Sequence, residues 1–424
     1  FTNCAFDLQT NKKVNVKRTD YITKTTDYAY VSSSPAELAK IEELFEQIFP
    51  VKEERLCYIS ILRCCMIGLL YEKFVLASGG GGNGKGLMHS LMKTMLGPYF
   101  YRANTCTYVK ELKDGPNPGI ANQHMARMVL STEPEENALL QLGVIKALTG
   151  DGDINARNLY SAVTEVALHC LQIMECNFKP GFSGRIGEAE IRRFINIIFR
   201  ATFTSNEKLL HLPNYHKADK TLKEKRWQEQ HRCALFDFLM QYDYTDIYEP
   251  ECVKQATFDY LCEKDDFTNW MDTHYQKGEG KVMLQAMTNH YKEEYLKIGS
   301  RAYRKTTSSK FLEQLEQNIK WKHIVALHFK KDKKHGARFE GLVRVYPDDS
   351  GGSETEDSAS EPLSSSLKLE ENEDESGDEI EVRKFNYKGK EYLRDINDNT
   401  VYTADGEVIG VYNEDTETID NSAL

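Results

Sequence analysis

The chain contains 424 residues, of which 40% are hydrophobic, and this length accommodates two or three domains with a sizeable core. Its ten cysteines form no C-x-x-C pair and no Cys/His spacing typical of zinc, which argues against a disulfide-rich or zinc-finger class and favours reduced thiols. No apolar run approaches transmembrane length and no signal peptide opens the chain, so we expect no membrane partner.

Charge is unevenly distributed along the chain. The net charge is −11, but residues 348–383 alone hold 14 acidic side chains against two basic ones. Together with the last 41 residues they account for −17, which leaves +6 for residues 1–347. A mildly basic body is therefore followed by a strongly acidic tail, and the body is compatible with a polyanionic partner.

The N-terminal region, residues 1–65, is expected to combine a short irregular segment with helices. Residues 1–31 have the pattern of short strands and turns. Apolar residues then recur at helical spacing over 34–49 and again over about 53–71. Two helices are therefore predicted before the first buried strand.

Residues 66–215 are expected to form an α/β core. The run Phe74-Val75-Leu76-Ala77 ends in glycines and indicates a buried strand, and a helical pattern follows from Lys85 until Gly97-Pro98 ends it. Further buried strands are predicted at 127–131, 166–174 and 194–199. Strands that alternate with helices predict a mainly parallel sheet, and residues 216–265 then form a helical extension.

The C-terminal third is expected to contain three separate segments. Residues 266–347 predict helices at 281–297 and 308–319, followed by a basic hairpin in KHIVALHFKKDKKHGARFEGLVRVYP, an order that is similar to a winged helix. Residues 348–383 are rich in Ser, Glu and Asp and predict a disordered acidic linker. Residues 384–424 alternate like short strands and predict a small β-like module.

The stretch GGGGNGKG fits the first seven positions of the phosphate-binding motif G-x-x-x-x-G-K-[ST]. A glycine linker is the alternative, but a buried strand before the motif and an amphipathic helix after it favour a nucleotide loop. Gly86 occupies the position of the hydroxyl that normally binds Mg²⁺, so water, phosphates and an acid from another strand must hold the metal. The predicted nucleotide-binding residues are Gly79, Gly80, Gly81, Gly82, Asn83, Gly84, Lys85, Gly86 and Leu87.

An acidic segment follows the next predicted strand in MARMVLSTEPEE. A carboxylate at a strand end beside a phosphate loop can hold Mg²⁺ through water and polarise the attacking water. Glu133 is the first candidate for both tasks and Glu135 the second, while a solvated acidic turn is the alternative interpretation.

Two further segments carry candidate site residues. Asn177 follows a predicted strand in ECNFKP, where it can contact the γ-phosphate or the attacking water, or serve only as a turn residue. Arg192 and Arg193 precede another apolar strand. They are either surface charges, or one of them is an arginine finger that reaches a neighbouring subunit's nucleotide.

The order of these motifs resembles the superfamily III helicases, and more narrowly the primase–helicase NTPases of phages, poxviruses and other large nucleocytoplasmic DNA viruses. GGGGNGKG, STEPEE, IKALTGDGDINARNLY, ECNFKP and IRRFINIIFRATF follow one another within residues 1–347, and the Asn-Gly-Lys-Gly form of the loop is itself similar to members from large DNA viruses. The resemblance implies an AAA+-like P-loop ATPase with a helical N-terminal collar. It also implies a hexameric ring that encircles DNA.

The resemblance assigns roles to individual residues. Lys85 becomes the phosphate-binding lysine, Glu133 and Glu135 the Walker B acids, Asn177 the sensor, and Arg193, in preference to Arg192, the finger. ATP and Mg²⁺ are the implied cofactors. The family carries a primase module before the helicase; the chain opens at Phe1, and we expect that module to be absent here.

Two basic regions are candidates for contact with DNA. The stretch 146–157 matches the DNA-tracking loop of the family, with a turn at Gly150 and Gly152, although Asp151 and Asp153 near that tip would repel phosphate. The predicted hairpin is the second region, with an exposed lysine loop as its alternative interpretation. The candidate DNA-binding residues are Lys146, Arg157, Lys330, Lys331, Lys333, Lys334 and Arg338.

The sequence therefore predicts an ATP-dependent, ring-forming DNA helicase that acts on single-stranded or forked DNA in viral replication inside an infected cell. A nucleotide-dependent assembly or loading platform that binds DNA without unwinding it is the alternative function. The motifs do not separate these two functions, because both need the same nucleotide site and a basic surface.

Overall fold

A computed structural model describes residues 1–112, 116–136, 138–150, 153–156, 164–298 and 300–345, together with five strands between residues 382 and 420. The fold is mixed α/β with a central parallel sheet. In the described part of the chain no helix is long and apolar enough to cross a membrane.

The N-terminal region contains two short strands and two helices, β1 (Ala5–Asp7), β2 (Lys12–Val14), α1 (Pro35–Ile48) and α2 (Lys52–Ile67). Helix α1 begins at a capping box, because Ser34 accepts a hydrogen bond from the Glu37 backbone at 3.3 Å and Glu37 accepts one from the Ser34 backbone at 2.9 Å. Both predicted helices are confirmed. Helix α2 ends before residue 71 because Gly68 adopts a left-handed conformation with φ of 72°.

Alternating strands and helices follow, and they build the core of the molecule. In chain order they are β3 (Phe74–Ser78), α3 (Lys85–Leu96), β4 (Phe100–Ala103), α4 (Cys106–Val109), α5 (Pro118–Ala121), β5 (Met128–Ser131), β6 (Leu139–Gln141), α6 (Leu142–Thr149), β7 (Asp153–Ala156), β8 (Thr164–Ala167), β9 (Leu171–Cys176), β10 (Gly181–Ser183), α7 (Glu188–Arg193) and β11 (Phe194–Ile198). Five of these strands form one sheet in the order β11-β3-β9-β5-β4, with every neighbouring pair parallel. The predicted parallel sheet is confirmed.

One predicted strand is divided in the structure. The apolar run 166–174 contributes to β8, which pairs antiparallel with β7, and to β9 in the central sheet. A long apolar run does not by itself reveal where one strand ends and the next begins.

The central sheet is covered on both faces. Val75 and Ala77 of β3 belong to a buried cluster that includes residues of α1, α2 and α3, whereas Phe74 and Leu76 belong to a second cluster on the other face. This alternation is what a strand buried on both faces requires. The phosphate-binding motif between β3 and α3 is therefore built on the most buried part of the sheet.

A half-buried ion pair joins α2 to the segment that follows β11. The Glu54 side chain is 5% exposed, and Arg200 donates to it from Nε at 3.0 Å and from Nη2 at 2.9 Å. The forked geometry of a guanidinium suits such a two-point contact. The contact fixes α2 against the same sheet edge at which the phosphate-binding motif lies.

The next part of the chain is mainly helical and ends in a three-stranded sheet. Its elements are β12 (Thr202–Thr204), β13 (Tyr215–Lys217), α8 (Lys225–Leu239), α9 (Glu251–Glu263), α10 (Asp266–His274), β14 (Tyr275–Met283), α11 (Leu284–Glu294), α12 (Arg301–Lys305), α13 (Ser308–Gln317), α14 (Lys322–His328), β15 (Phe329–Asp332) and β16 (Gly336–Arg344). The antiparallel sheet has the order β14-β16-β15, so the predicted basic hairpin is present as β15 and β16.

Two local predictions in this part differ from the structure. The helix predicted over 281–297 begins only at Leu284, since the preceding residues form β14 by pairing with β16. The stretch 322–328, predicted as part of the hairpin, is helix α14. The first difference arises because pairing with a strand some sixty residues away makes residues 281–283 part of β14, and the local pattern does not show that partner. In the second case the pairing of the hairpin begins only at Phe329.

The chain divides into two compact units. The first contains Phe1–Leu284 and Ser309–Val345, and the second contains Gln285–Ser308 and Tyr346–Leu424. In the second unit β17 (Val382–Tyr387), β18 (Lys390–Asp395), β19 (Thr400–Tyr402), β20 (Val408–Asn413) and β21 (Thr418–Asp420) form an antiparallel sheet in chain order. Residues 346–381, which hold nearly all of the predicted acidic linker, lie outside the described residues, and the predicted domain boundaries stay predictions.

Candidate active site at the carboxyl edge of the sheet

The phosphate-binding motif forms the loop that joins β3 to α3. The strands β3, β5, β9 and β11 run in the same direction, so the segments that follow them meet at one edge of the sheet. The Gly79 N–H donates to the Cys176 carbonyl at 3.2 Å, which ties the start of the loop to the end of β9. Loop and strand ends therefore lie side by side, as a nucleotide site of this kind requires.

Two glycines of the loop are needed for its path. Gly79 and Gly84 have φ values of 141° and 90°, which side chains rarely allow. A Cβ at Gly79 would lie 2.6 Å from the Phe199 carbonyl oxygen, and one at Gly84 would lie 2.8 Å from Ile48 Cδ1. The loop is thus held between α1 and the end of β11, while Gly80 and Gly81 face open space.

Lys85 is the first residue of α3 and is 6% exposed. Its ammonium group donates to the Gly79 carbonyl and to Asn177 Oδ1, the latter at 3.3 Å. Burial lowers the pKa of Lys85, and nearby Glu175, Cys176 and Glu133 oppose that effect. Within the described residues no carboxylate forms an ion pair with it, so its positive charge is available for an anionic phosphate.

Glu133 and Asn177 form the other side of this site. The Glu133 carboxylate accepts the Asn177 backbone N–H at 2.6 Å, the Asn177 side-chain amide at 2.8 Å, and the Phe178 backbone N–H. Because the same Asn177 amide oxygen accepts from Lys85, one side chain connects the lysine to the acid. The structure brings together three residues that the sequence analysis selected from three separate motifs.

The remaining predicted loop residues support the same arrangement. The Asn83 side chain donates to the Phe199 carbonyl at 3.4 Å, and Leu87 is buried in the first turn of α3. Gly86 is exposed, and a Cβ there would meet nothing within 4 Å. The site therefore lacks the magnesium-binding hydroxyl because Gly86 has no side chain. The space for such a side chain is present.

The loop and its neighbours fit a nucleoside phosphate with Mg²⁺. The cradle is open at Gly80 and Gly81, a buried cation lies at its base, and the Glu133 carboxylate lies across from it. Glu135 and Glu136 are exposed on the turn that follows. Of the acids in STEPEE, Glu133 is thus the one that the structure connects to Lys85.

The sequence analysis missed a histidine–glutamate pair directly beside this site. His89 Nδ1 and Glu175 Oε1 lie 2.5 Å apart, His89 is 1% exposed, and the Glu175 side chain is 19% exposed. A signal was available in the sequence, because His89 lies one helical turn after Lys85 and Glu175 lies two strand positions before Asn177. Each member therefore shares a face with a residue that the motifs had already selected.

The two candidate finger arginines lie at the opposite edge of the sheet. They end α7 directly before β11, which begins next to the first residue of β3. A strand of five residues places them about 15 Å from the loop of their own chain. Arg192 is 67% exposed and lies 3.6 Å from Glu72, whereas Arg193 is 14% exposed and also donates to the Ala189 carbonyl at 3.3 Å.

The first candidate DNA-binding region is only partly described. Lys146 lies on α6 and forms an ion pair with Glu190, a carboxylate that is 4% exposed. The segment beyond α6 forms the antiparallel hairpin of β7 and β8, in which Ala156 pairs with Thr164. Arg157, Asp151 and Gly152 lie outside the described residues.

The second region is the hairpin of β15 and β16. Lys330, Lys331, Lys333, Lys334 and His335 are exposed along it. Arg338 differs, because it is 12% exposed and pairs with Asp332 at 2.6 Å and with Glu340 at 2.7 Å. The four lysines therefore form an exposed basic group, which we call the hairpin lysines, and Arg338 supports the hairpin itself.

Comparison with known proteins identifies relatives in large DNA viruses. The chain is 26% identical over 316 residues to the "Putative helicase L207/L206" of Acanthamoeba polyphaga mimivirus, which covers 70% of this chain and 33% of the relative. It is 27% identical over 168 residues to "Primase D5" of Fowlpox virus, with 38% of this chain and 21% of the relative covered. The chain is a relative of the superfamily III primase–helicases of large DNA viruses. The resemblance carried by the ordered motifs is thereby confirmed.

Both relatives are longer proteins, and the chain spans about a third or less of the length of each. No protein-family model matches it. Among solved structures, the chain is similar to the apo C-terminal region of NrS-1, with a TM-score of 0.41 and 15% identity over 75% of this chain and 78% of that one.

Proposed function

We propose that this chain is the motor part of a viral DNA helicase, a P-loop NTPase that uses ATP and Mg²⁺ during viral replication in the infected cell. The observation that carries the proposal is the connection from Lys85 through Asn177 to Glu133 at the carboxyl edge of a parallel sheet. A phosphate-binding cation, an orienting amide and a carboxylate are the groups that hydrolysis of a phosphoanhydride needs.

The proposed chemistry assigns one task to each residue. Backbone N–H groups of the loop and the start of α3 bind the phosphate oxygens, and Lys85 reaches the β- and γ-phosphates. Glu133 orients and polarises the attacking water, and Asn177 holds Glu133 in position. Mg²⁺, when bound, neutralises charge on the β- and γ-phosphate oxygens, and Glu133 and its waters would hold the ion.

The proposed site is completed by a second copy of the chain. Arg192 and Arg193 lie too far from their own loop to touch its nucleotide, so a finger from this pair acts only on a neighbouring subunit. Arg192 is more exposed than Arg193 and can therefore reach a neighbouring subunit more easily, although the motif resemblance favoured Arg193. A ring, hexameric by the resemblance, satisfies this geometry at every interface.

The proposed DNA contacts lie in two regions, the hairpin lysines and the segment that follows α6. The hairpin lysines offer four exposed cations that can lie along a phosphate backbone in a winged-helix-like manner. Arg157 and the β7–β8 hairpin stay candidates for the DNA-tracking loop. Lys146 must leave its ion pair with Glu190 before it can contact DNA.

ATP hydrolysis with and without single-stranded DNA tests the proposal. We expect the chain to hydrolyse ATP faster with DNA, and we expect Lys85→Ala and Glu133→Gln to lose turnover by about 100-fold or more. Glu136→Gln is the matched control, since this exposed acid lies three residues further along the same turn and should leave turnover unchanged.

Strand displacement on a forked duplex separates the two candidate functions. Displacement that requires ATP and is lost in both site variants supports the helicase. DNA binding and ring assembly that respond to ATP without any displacement would instead support a loading platform. Equal turnover in the native chain and the Lys85→Ala variant would contradict both functions.

A further inference from the structure

The nucleotide site has a shortage of free magnesium ligands. Gly86 contributes no hydroxyl, and the Glu133 carboxylate already accepts three N–H groups. A carboxylate offers about four acceptor positions, so Glu133 keeps about one for the metal or its water. A site with one available position from protein needs a further acid if it is to hold hydrated Mg²⁺ well.

Glu175 is the described carboxylate best placed to supply that position. It lies on β9 two residues before Asn177, so the two side chains share one face of the strand. Lys85 and His89 share one face of α3 in the same way, and these two faces meet at the Lys85–Asn177 and His89–Glu175 contacts. Glu175 therefore lies next to the phosphate-binding lysine.

His89 holds the Glu175 carboxylate in place. The contact between His89 Nδ1 and Glu175 Oε1 uses one oxygen, and among the described residues the Glu175 carboxylate has no other hydrogen-bonding partner. Burial favours the neutral acid, but the His89 hydrogen bond and the charges of Arg102 and Lys85 outweigh it, so the pKa of Glu175 is lowered. One carboxylate oxygen is thus fixed while the other is free to bind.

We propose that Glu175, oriented by His89, is a second acid of the nucleotide site and binds the water shell of Mg²⁺ in place of the hydroxyl missing at Gly86. This inference rests on the proposed nucleotide-binding function.

A purely structural role for the pair is the competing explanation. A buried His–Glu pair can simply join a helix to a sheet, and its loss would then weaken the fold without regard to metal. The two explanations differ in the sign of one effect. Without Mg²⁺ the Glu175 carboxylate repels phosphate, so its neutralisation should leave nucleotide affinity unchanged or raise it, whereas with Mg²⁺ it should lower affinity.

Nucleotide binding measured in Mg²⁺ and again in EDTA tests this sign. The probe is a fluorescent ADP analogue, and the variants are Glu175→Gln, Gly86→Ser and the combination of both. In Mg²⁺ we expect Glu175→Gln to lower the affinity for the ADP analogue about tenfold or more. In EDTA the affinity should change at most about twofold or become stronger. Gly86→Ser has room for its hydroxyl, and in the double variant it should restore most of the loss.

Glu190→Gln is the matched control, because Glu190 is also a buried carboxylate paired with a basic group but lies on α7. It should not change the ratio of affinities in Mg²⁺ and EDTA. Equal losses in both conditions for Glu175→Gln, or no loss in Mg²⁺, would overturn this inference alone. Failure of the native chain to bind the probe in either condition would overturn the proposed function and this inference with it.

Discussion

The Glu133 carboxylate accepts both the backbone N–H and the side-chain amide of Asn177, at 2.6 Å and 2.8 Å. The two residues are 44 positions apart and follow the neighbouring strands β5 and β9. Because the Asn177 amide oxygen also accepts from Lys85, one side chain sets the distance between the site's cation and its acid.

Replacement of Asn177 by alanine should disable turnover more than binding. The variant loses the amide that orients Glu133 and the acceptor that holds Lys85, but the loop that binds phosphate is kept. We expect ATP turnover to fall about 10- to 100-fold while nucleotide affinity changes less than about fivefold. Steady-state hydrolysis and nucleotide titration on the same preparation measure the two quantities.

Asn206→Ala is a suitable control for that variant. Asn206 also lies in a turn and accepts a backbone N–H, that of Lys208 at 3.1 Å, but no hydrogen bond joins it to the loop. Its loss should leave turnover unchanged. If Asn177→Ala kept full turnover, the role of Asn177 in orienting Glu133 would be wrong.

Substitution of Gly79 by alanine should damage the loop, whereas the same change at Gly80 should not. At Gly79 a Cβ meets the Phe199 carbonyl oxygen at 2.6 Å and the φ of 141° is unfavourable for alanine. At Gly80 a Cβ meets nothing within 4 Å. We expect Gly79→Ala to lower the free energy of unfolding by about 1–3 kcal/mol and to weaken nucleotide binding.

Thermal unfolding and nucleotide titration of the two glycine variants measure this difference. Similar values for Gly79→Ala and Gly80→Ala, in both stability and affinity, would contradict the described path of the loop.

The two arginines of α7 should respond differently to alanine substitution. Arg193 is 14% exposed, donates to the Ala189 carbonyl and forms an ion pair with Glu72, so its loss should mainly lower the unfolding temperature. Arg192 is 67% exposed, so its loss should lower ATP turnover about 10-fold or more and leave the unfolding temperature within about 1 °C.

Mixing experiments test the action of Arg192 between subunits. Rings of Arg192→Ala chains alone or of Lys85→Ala chains alone are each expected to have low turnover. A mixture creates some interfaces with an intact loop and an intact finger. Partial recovery of turnover on mixing is the expected result. Full turnover by Arg192→Ala alone would assign the finger to Arg193 or to neither.

Removal of the Arg200 guanidinium should destabilise the fold by leaving Glu54 charged and buried. Glu54 is 5% exposed, but Arg200 is 44% exposed, so water partly screens the pair. We therefore expect Arg200→Ala to cost about 2 kcal/mol of unfolding free energy, less than a fully buried pair would. Adding Glu54→Gln should recover part of that loss, and chemical denaturation measures both. No loss in Arg200→Ala would show that the pair does not stabilise the fold.

The hairpin lysines should contribute to the salt dependence of DNA binding. Each contact to a phosphate of single-stranded DNA adds about 0.7 to the slope of log affinity against log salt. A Lys333→Gln and Lys334→Gln double variant should reduce that slope by up to about 1.4, while Lys12→Gln with Lys13→Gln, two exposed lysines on β2, should not change it. An unchanged slope in the hairpin variant would exclude these two lysines from the DNA contact.

Much of the candidate site was predictable because its residues follow strands. Apolar runs marked β3, β5 and β11, and polar residues after strands of a parallel sheet necessarily meet at one edge. Lys85, Glu133 and Asn177 could thus be selected from sequence, and the structure brings them together. The pairing of His89 with Glu175 was not selected. Glu175 belongs to ECNFKP, but only Asn177 of that motif was assigned a role, and it is the packing of α3 on β9 that brings His89 into contact with Glu175.

The predictions of the fold that were wrong have a different cause. The boundary between β8 and β9 lies inside one apolar run, and β14 depends on β16, more than fifty residues away. Arg338 was grouped with the hairpin lysines from the sequence, yet its guanidinium forms ion pairs with Asp332 and Glu340. The hydrogen bond from Arg338 lowers the pKa of Asp332 to about 2. Composition reports which charges are present but not which are already neutralised by a neighbour.

The contact of Gly84 with Ile48, and that of Gly79 with the Phe199 carbonyl, clamp the phosphate loop at both ends. Between these clamps only Gly80 and Gly81 face open space, since the Gly82 carbonyl accepts the Phe203 N–H at 2.7 Å. Motion before nucleotide arrives is therefore confined to two peptide units. Amide hydrogens at those two glycines should exchange with deuterium quickly while the flanking amides stay protected, and the loop would enter binding with most of its conformational entropy already lost.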